Sequence, residues 1–285
     1  MTAQKTLGLI AGNGVFPRLF VEAAHARSIE VVAVAMRGET DPIIDTLLPN
    51  VCWVRVGQLG KMIRHFKHSA VTSAAMAGGV RKTRLFSGAR PDFTAMRLLS
   101  KSLLRRDDSM LRAIAGEFER HGIDIIDSTT LLPEILAPAG VLTEAHPTEQ
   151  DWADLRYGYV AARHIGKLDV GQSVILRKGA VIAIEGIEGT DSLIRRSAEH
   201  TRGQGVLVKV AKPQQDMRFD VPAIGEKTIE AVHEAGIRCI GIEAGRTLLL
   251  APQPTIEVAN KLGITIVGLT AEDEACGLQS LDLDT

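Results

Sequence analysis

The first half of the chain alternates short apolar runs with stretches of helical periodicity, and this constrains the fold more than any other feature. Leu7–Ala11 reads as a strand, and Val15–Ser28 as a helix with Phe16, Leu19, Phe20 and Ala23 on one side. Val31–Met36 and Val51–Val56 are two further strands. A helix over Leu59–His68 and a strand within Val71–Ala77 follow. Helices over Pro91–Arg106 and Asp108–His121 lead to a last strand at Ile123–Asp127. Such alternation builds βαβ units and a parallel sheet. Right-handed crossovers then leave an open, doubly wound arrangement as the main topology. Composition agrees: 27 glycines and 4% aromatic residues suit small-residue-rich strands buried on both faces.

Between Leu132 and Thr148 the texture changes, with Pro133, Pro138, Pro147 and Gly140 in close succession, and the domain junction is expected there. The reading is therefore an α/β protein of two domains. Residues 1–135 form a Rossmann-like parallel sheet, 136–150 the junction, and 151–270 a mixed α/β domain carrying acidic loops. This second region starts with a helix at Asp151–Leu168 and a hairpin, Ser173–Leu176 and Ala180–Glu185, turning at Arg177-Lys178-Gly179. A helix from Thr190, the strand Gly205–Val210 and the helix Lys227–Ala235 come next. The strands Cys239–Glu243 and Thr247–Ala251, the helix Thr255–Leu262 and the strand Ile264–Leu269 complete it. The acidic, aperiodic tail 271–285 reads as disordered.

Charge and cysteine usage exclude whole classes of function. Lys and Arg number 33 against 34 Asp and Glu, a net charge of −1, which argues against bulk nucleic acid as partner. Three cysteines without a CxxC pair make no disulfide framework. Glycine interrupts the N-terminal segment before any leader-like apolar stretch develops, and no run approaches the roughly 18 apolar residues of a membrane span. The expectation is a soluble, reduced, intracellular protein. No HExxH, GxSxG or GxxxxGK[ST] pattern occurs.

Four segments carry candidate chemistry. Gly12, Asn13 and Gly14 follow the first strand directly, where a glycine turn at a helix start admits a phosphate or sugar, or is simply tight. The dinucleotide fingerprint is incomplete, with Pro17 in place of its third glycine and Met36-Arg37-Gly38 where an acidic residue belongs. Gly78-Gly79-Val80-Arg81-Lys82 stands at the end of a buried-looking strand, with two cations to meet an anion. Met96–Arg106 sets Met96, Leu99 and Leu103 against Arg97, Lys101 and Arg105, which suits either an anionic membrane surface or docking on the protein's own sheet. The fourth is a pair: Glu185-Gly186-Ile187-Glu188-Gly189-Thr190-Asp191, and Lys212 to Pro222 with Asp216, Arg218 and Asp220. Prolines keep the latter from being a regular helix or central strand. Its carboxylates suit Mg²⁺, and Lys212 and Arg218 suit phosphoryl oxygens; a salt-bridged surface loop is the plainer alternative.

Taken together, LGLIAGNGVFP, AGGVRK, VGQSVILRKGAVIAIEGIEGTD, KPQQDMRFDVPAIGEKT and EAGRTLLL resemble the LpxI-type UDP-2,3-diacylglucosamine pyrophosphatases of lipid A biosynthesis, from Leu7 to about Leu269. The resemblance implies a Mg²⁺-dependent hydrolase of Gram-negative bacteria, acting in the cytoplasm or peripherally on the cytosolic face of the inner membrane. Its products would be UMP and 2,3-diacylglucosamine 1-phosphate (lipid X), and a homodimer is compatible with it. On that basis Asp220, Asp216, Asp191, Lys212 and Arg218 are the catalytic candidates, with Asp220, Asp191 and Glu185 as metal ligands. Gly12, Asn13, Gly14, Gly79, Arg81, Glu188 and Thr190 are the substrate-binding candidates. Two rival functions are an NADP-linked oxidoreductase using Gly12, Gly14 and Arg37, and a non-catalytic nucleotide-sugar or lipid-binding protein.

Overall fold

The computed structural model describes residues 6–80, 91–101, 107–219 and 221–280. They divide into two compact units, one of residues up to Pro133 together with Asp216–Asp220, the other of Glu134–Gln215 and Val221 onward.

The N-terminal unit is a five-stranded, all-parallel sheet in the order β3-β2-β1-β4-β5. Its strands are β1 (Thr6–Ala11), β2 (Glu30–Met36), β3 (Val51–Val54), β4 (Ser73–Ala77) and β5 (Asp124–Ile126). Strand order reverses at β1 and β4, the topological switch point of a doubly wound sheet, where ligands bind beyond the carboxyl ends. Ile10, Val34, Met76 and Ile125 join Met62, Ile63 and Phe66 of the helix Leu59–His68 in one core with Ala115 and Phe118 of the helix Asp107–Glu119. Phe20, Val21 and Ala24 of the helix Phe16–Ala26 are fully buried outside that cluster. The apolar runs are continuous, as sheets covered on both faces require.

Phe219 completes this N-terminal core, although it lies in the second half of the sequence. The Asp216–Asp220 segment therefore counts with the N-terminal unit, which corrects its assignment to the 151–270 domain. An aromatic ring between charged residues in a proline-interrupted loop has nothing local to pack on, so it seeks apolar cover elsewhere.

The C-terminal unit holds a six-stranded mixed sheet in the order β6-β13-β11-β9-β7-β8. Here β6 is Gly140–Val141, β7 Ser173–Arg177, β8 Ala180–Ile184, β9 Gly205–Lys209, β11 Ile237–Glu243 and β13 Thr265–Leu269. Strands β9, β11 and β13 are parallel, while β6, β7 and β8 run antiparallel to their neighbours. Alternate side chains feed two cores. Ile175, Leu207, Ile240, Ile242 and Ile266 meet the helices Thr190–Thr201, Glu226–Glu234 and Pro252–Leu262. Val174, Leu176, Val206, Val208 and Val267 meet the helix Glu149–Lys167. The β7–β8 hairpin turns with Lys178 and Gly179 both at positive φ, and the Asp154 carboxylate accepts their two backbone N–H groups at 2.9 and 2.6 Å. A reciprocal Thr148–Asp151 capping box starts the helix Glu149–Lys167.

Three expectations change in this unit. Gly140–Val141, read as junction, is an added antiparallel strand on β13. The strand expected over Thr247–Ala251 shrinks to β12 (Leu248–Leu249), paired in parallel with β10 (Ala223–Ile224) in a sheet of their own. The tail, read as disordered, is helical over Ala271–Ser280. Asp273 caps it by accepting from Thr270 N and Oγ1, and Asp273 and Glu274 pair with Arg156 and Arg163. At Gly277 a Cβ would stand 2.5 Å from the Arg156 carbonyl oxygen, so only glycine lets this helix lie so close to Glu149–Lys167.

Candidate active site

At the switch point of the N-terminal sheet two glycine turns interlock. Gly12 N–H donates to Ala77 O and Asn13 N–H to Gly79 O, each at 2.8 Å, bridging Asn13 and Gly79. A Cβ on Gly12 would lie 2.4 Å from Gly79 O, and one on Gly78, whose φ is +80°, would lie 2.2 Å from Asn13 O. Neither backbone can retreat, so the sequence must be glycine at both. Gly14, at φ +82°, has open space above it. The expected glycines Gly12, Asn13's neighbour Gly14 and Gly79 thus come together with Asn13 at one strand edge. Arg81 lies outside the described residues.

The loop after β2 ties this turn down. Thr40 Oγ1 donates to Ala11 O at 2.6 Å and accepts Met36 N–H at 2.8 Å. Glu39, 7% exposed, accepts from Asn13 Nδ2 at 3.1 Å. It stands three residues beyond β2 and was not singled out in the sequence, since the fingerprint position itself is Met36-Arg37-Gly38.

Of the acidic and cationic set, Asp216 and Arg218 also belong to the N-terminal unit. Arg218 donates through Nη2 to Asp216 at 2.8 Å and through Nη1 to Glu119 at 3.2 Å, with its guanidinium 4.8 Å from the centre of the Phe219 ring. The bonds from Arg218 hold the Asp216 carboxyl below the ordinary carboxylate range. Asp220 lies outside the described residues.

Glu185, Glu188, Thr190, Asp191 and Lys212 belong to the C-terminal unit. Glu185 is buried, and its two oxygens accept from Gln172 N–H at 3.1 Å and Thr190 Oγ1 at 3.0 Å, so it latches the start of β7 to the helix after β8. Glu188 pairs with Arg196 at 3.0 Å; its own backbone N–H and the Arg196 guanidinium hold its carboxyl below the usual range. Asp191 stands exposed in the first turn of Thr190–Thr201. Lys212, buried at 7% exposure, meets Asp169 at 2.6 Å. Among the described residues no three His, Cys, Asp or Glu side chains gather as a metal site.

The carboxyl edge of β9, β11 and β13 holds charges that sequence reading passed over. Lys209 closes β9 and donates to Ala223 O at 3.0 Å. Glu243 closes β11, accepts Ala211 N–H at 2.8 Å and faces Arg163 at 3.6 Å and Arg246 at 3.7 Å. Burial first, and Glu243 second, push the Tyr159 phenol up. A charged residue ending an apolar run, as in GVLVK and CIGIE, is the signal that finds both positions. His164, exposed on its helix, has Nδ1 2.8 Å from Val160 O.

The expected basic face of Met96–Arg106 is partly consumed. Arg97 bonds Glu117, whose side chain is 1% exposed, at 2.6 Å. A buried carboxylate needs that cation. Ala95 and Leu98 pack on the core, whereas Met96 and Phe93 are exposed at 50% and 78%; the other two residues of the expected apolar face, Leu99 and Leu103, lie outside the described side chains. Side chains from 99 to 109 lie outside the described residues. No helix among the described residues is long and apolar enough to cross a membrane.

Comparison with known proteins adds a separate line of support. A family model described as the LpxI N-terminal domain matches residues 6–135, and one described as the LpxI C-terminal domain matches 138–267. The chain is 32% identical over 280 residues to UDP-2,3-diacylglucosamine pyrophosphatase LpxI of Caulobacter vibrioides, covering 94% of this chain and 99% of that protein.

Proposed function

This chain belongs to the LpxI family, and we propose that it hydrolyses the diphosphate of UDP-2,3-diacylglucosamine to UMP and 2,3-diacylglucosamine 1-phosphate. The observation that carries the proposal is the match of both domain models, in order, along a chain similar throughout to a pyrophosphatase of that name. The parallel N-terminal sheet supports it, because its switch point presents interlocked glycine turns rather than a complete dinucleotide fingerprint. Glu39, the acidic residue nearest the end of β2, is turned onto Asn13, which disfavours the NADP reading.

Anhydride hydrolysis asks little covalent work of a protein, so positioning and charge carry the rate. Water attacks one phosphorus and the other phosphate leaves. Arg218, fixed by Asp216 and Glu119, is the cation proposed to meet the developing charge. Asp220 is the residue proposed to orient the water or a metal ion. Glu185 accepts one protein hydrogen bond on each oxygen, and each oxygen keeps a lone pair for a metal ion. The Mg²⁺ requirement rests on the family resemblance; such an ion needs only one or two carboxylates beside substrate phosphates. Association with the surface of the membrane that holds the lipid belongs to the same proposal, with exposed Phe93 and Met96 as the apolar groups that would enter it.

UMP release from UDP-2,3-diacylglucosamine, with and without Mg²⁺, tests this. Asp220→Ala is expected to lower turnover by at least ~10²-fold, the scale of losing one key electrostatic group. Absence of UMP release by the wild-type chain under either condition would overturn the assignment.

A further inference from the structure

Asn13 sits at the switch point with its side chain held on one side only. Its Nδ2 donates to Glu39, which is almost fully enclosed. An ionised carboxylate offers acceptors alone, so the amide nitrogen must face it and the choice of rotamer is decided chemically. Oδ1 is thereby turned toward Gly79, 3.5 Å from where a Cβ of that residue would stand, and no described donor reaches it. An amide oxygen presented in this way accepts hydrogen bonds and repels phosphoryl oxygen.

We propose that Asn13 Oδ1 reads a hydrogen-bond donor on the nucleoside end of the substrate, and that Glu39 is the positioning residue that orients it. The proposal rests on the reading of this turn as a substrate subsite and sharpens it, since Asn13 then faces the nucleoside and not the diphosphate. Two groups of uridine carry such a donor, the imide N–H and the ribose hydroxyls.

The test is calorimetric binding of UMP to the full-length protein, beside KM and kcat for UMP release. Glu39→Gln frees the amide to turn either way and is expected to weaken UMP binding and raise KM by roughly 3- to 10-fold, the worth of one neutral hydrogen bond, with a smaller change in kcat. Asn13→Asp alone sets two carboxylates face to face and should lose more. The exchanged pair, Asn13→Asp with Glu39→Gln, again has one amide donating to one carboxylate and one outward acceptor, so it should return to within about 2-fold of wild type. A purely structural contact would instead show as lowered melting temperatures without altered ligand preference. Weaker binding of CMP than UMP assigns the imide as donor, and weaker binding of 2′-deoxy-UMP assigns the ribose. Unchanged UMP affinity and KM in Glu39→Gln, or an exchanged pair no better than Asn13→Asp, overturns the inference while the hydrolase assignment stands. A wild-type chain that releases no UMP removes the hydrolase assignment instead.

Discussion

Replacing Phe219 by Ala should destabilise the N-terminal unit although residue 219 lies far beyond the sequence of that unit. The ring is 8% exposed within the cluster that includes Ile10, Met76 and Phe118. Truncating a buried Phe to Ala costs ~3–5 kcal/mol through lost transfer energy and residual cavity. Its position on a loop that can relax inward favours the lower end, about 3 kcal/mol. For a unit of this size that is a fall in melting temperature on the order of 10 °C. The chain has two tryptophans, one in each unit: Trp53 on β3, bonded to Asp45, and Trp152 in the helix Glu149–Lys167. In a Trp152→Phe background, urea unfolding followed by Trp53 emission therefore reports the N-terminal unit. Phe219→Leu should recover most of the loss, because similar volume returns. Turnover should fall with Phe219→Ala as well, since Arg218 lies 4.8 Å over the ring it would lose. A loss below about 1 kcal/mol, or a Leu variant as unstable as the Ala variant, would refute burial as the reason this segment joins the unit.

Three other outcomes follow from the geometry. Gly12→Ala drives a Cβ to 2.4 Å from the Gly79 carbonyl oxygen, so a loss of about 1–3 kcal/mol or more is expected, with UMP release impaired. Gly79→Ala, meeting Asn13 Oδ1 at an ordinary 3.5 Å, should melt near wild type; equal damage from both would undo the steric account. Gly277→Ala should strain or undock the helix Ala271–Ser280, speeding amide exchange there, and unchanged protection would mean that the close approach to Arg156 is unimportant. Burial, then Lys61 and His68, lower the His65 pKa below 6.5. The unfolded chain then binds the proton first, so this stabilisation is complete above pH 6.5 and is lost as pH falls through the folded-state value. Melting curves across that range should slope down on acidification, and His65→Gln should flatten them; an unaltered slope would exclude His65 as the source.

Much of the fold was legible because strands buried on both faces must be written as unbroken apolar runs. LGLIA, VVAVAM and SAAMA betray a parallel sheet wherever they occur, and Lys178-Gly179 betrays a tight hairpin. What stayed hidden depends on distant partners. β6, β10 and β12 are two-residue strands with no periodicity to detect. The terminal helix looks too polar to fold until Arg156, Arg163 and the space left by Gly277 are known. At the site, residue types suggested phosphate chemistry, but not which charges are already spent. Glu185 carries two protein hydrogen bonds that its sequence position does not announce, and Glu39 and Glu243 look incidental in sequence yet are enclosed.

The route of the chain through Phe219 bears on how the protein is made. All five strands of the N-terminal sheet have left the ribosome once Ile126 has emerged, yet its core still lacks one buried ring, Phe219. It must wait while most of the second half is synthesised before the missing ring arrives. Domains generally fold as units in order of synthesis; here the first unit gains its last core side chain only when the second is well under way. A gene cut at the apparent boundary would leave the first piece without Phe219, and a split version that keeps that core whole would carry the Asp216–Asp220 segment on the N-terminal piece.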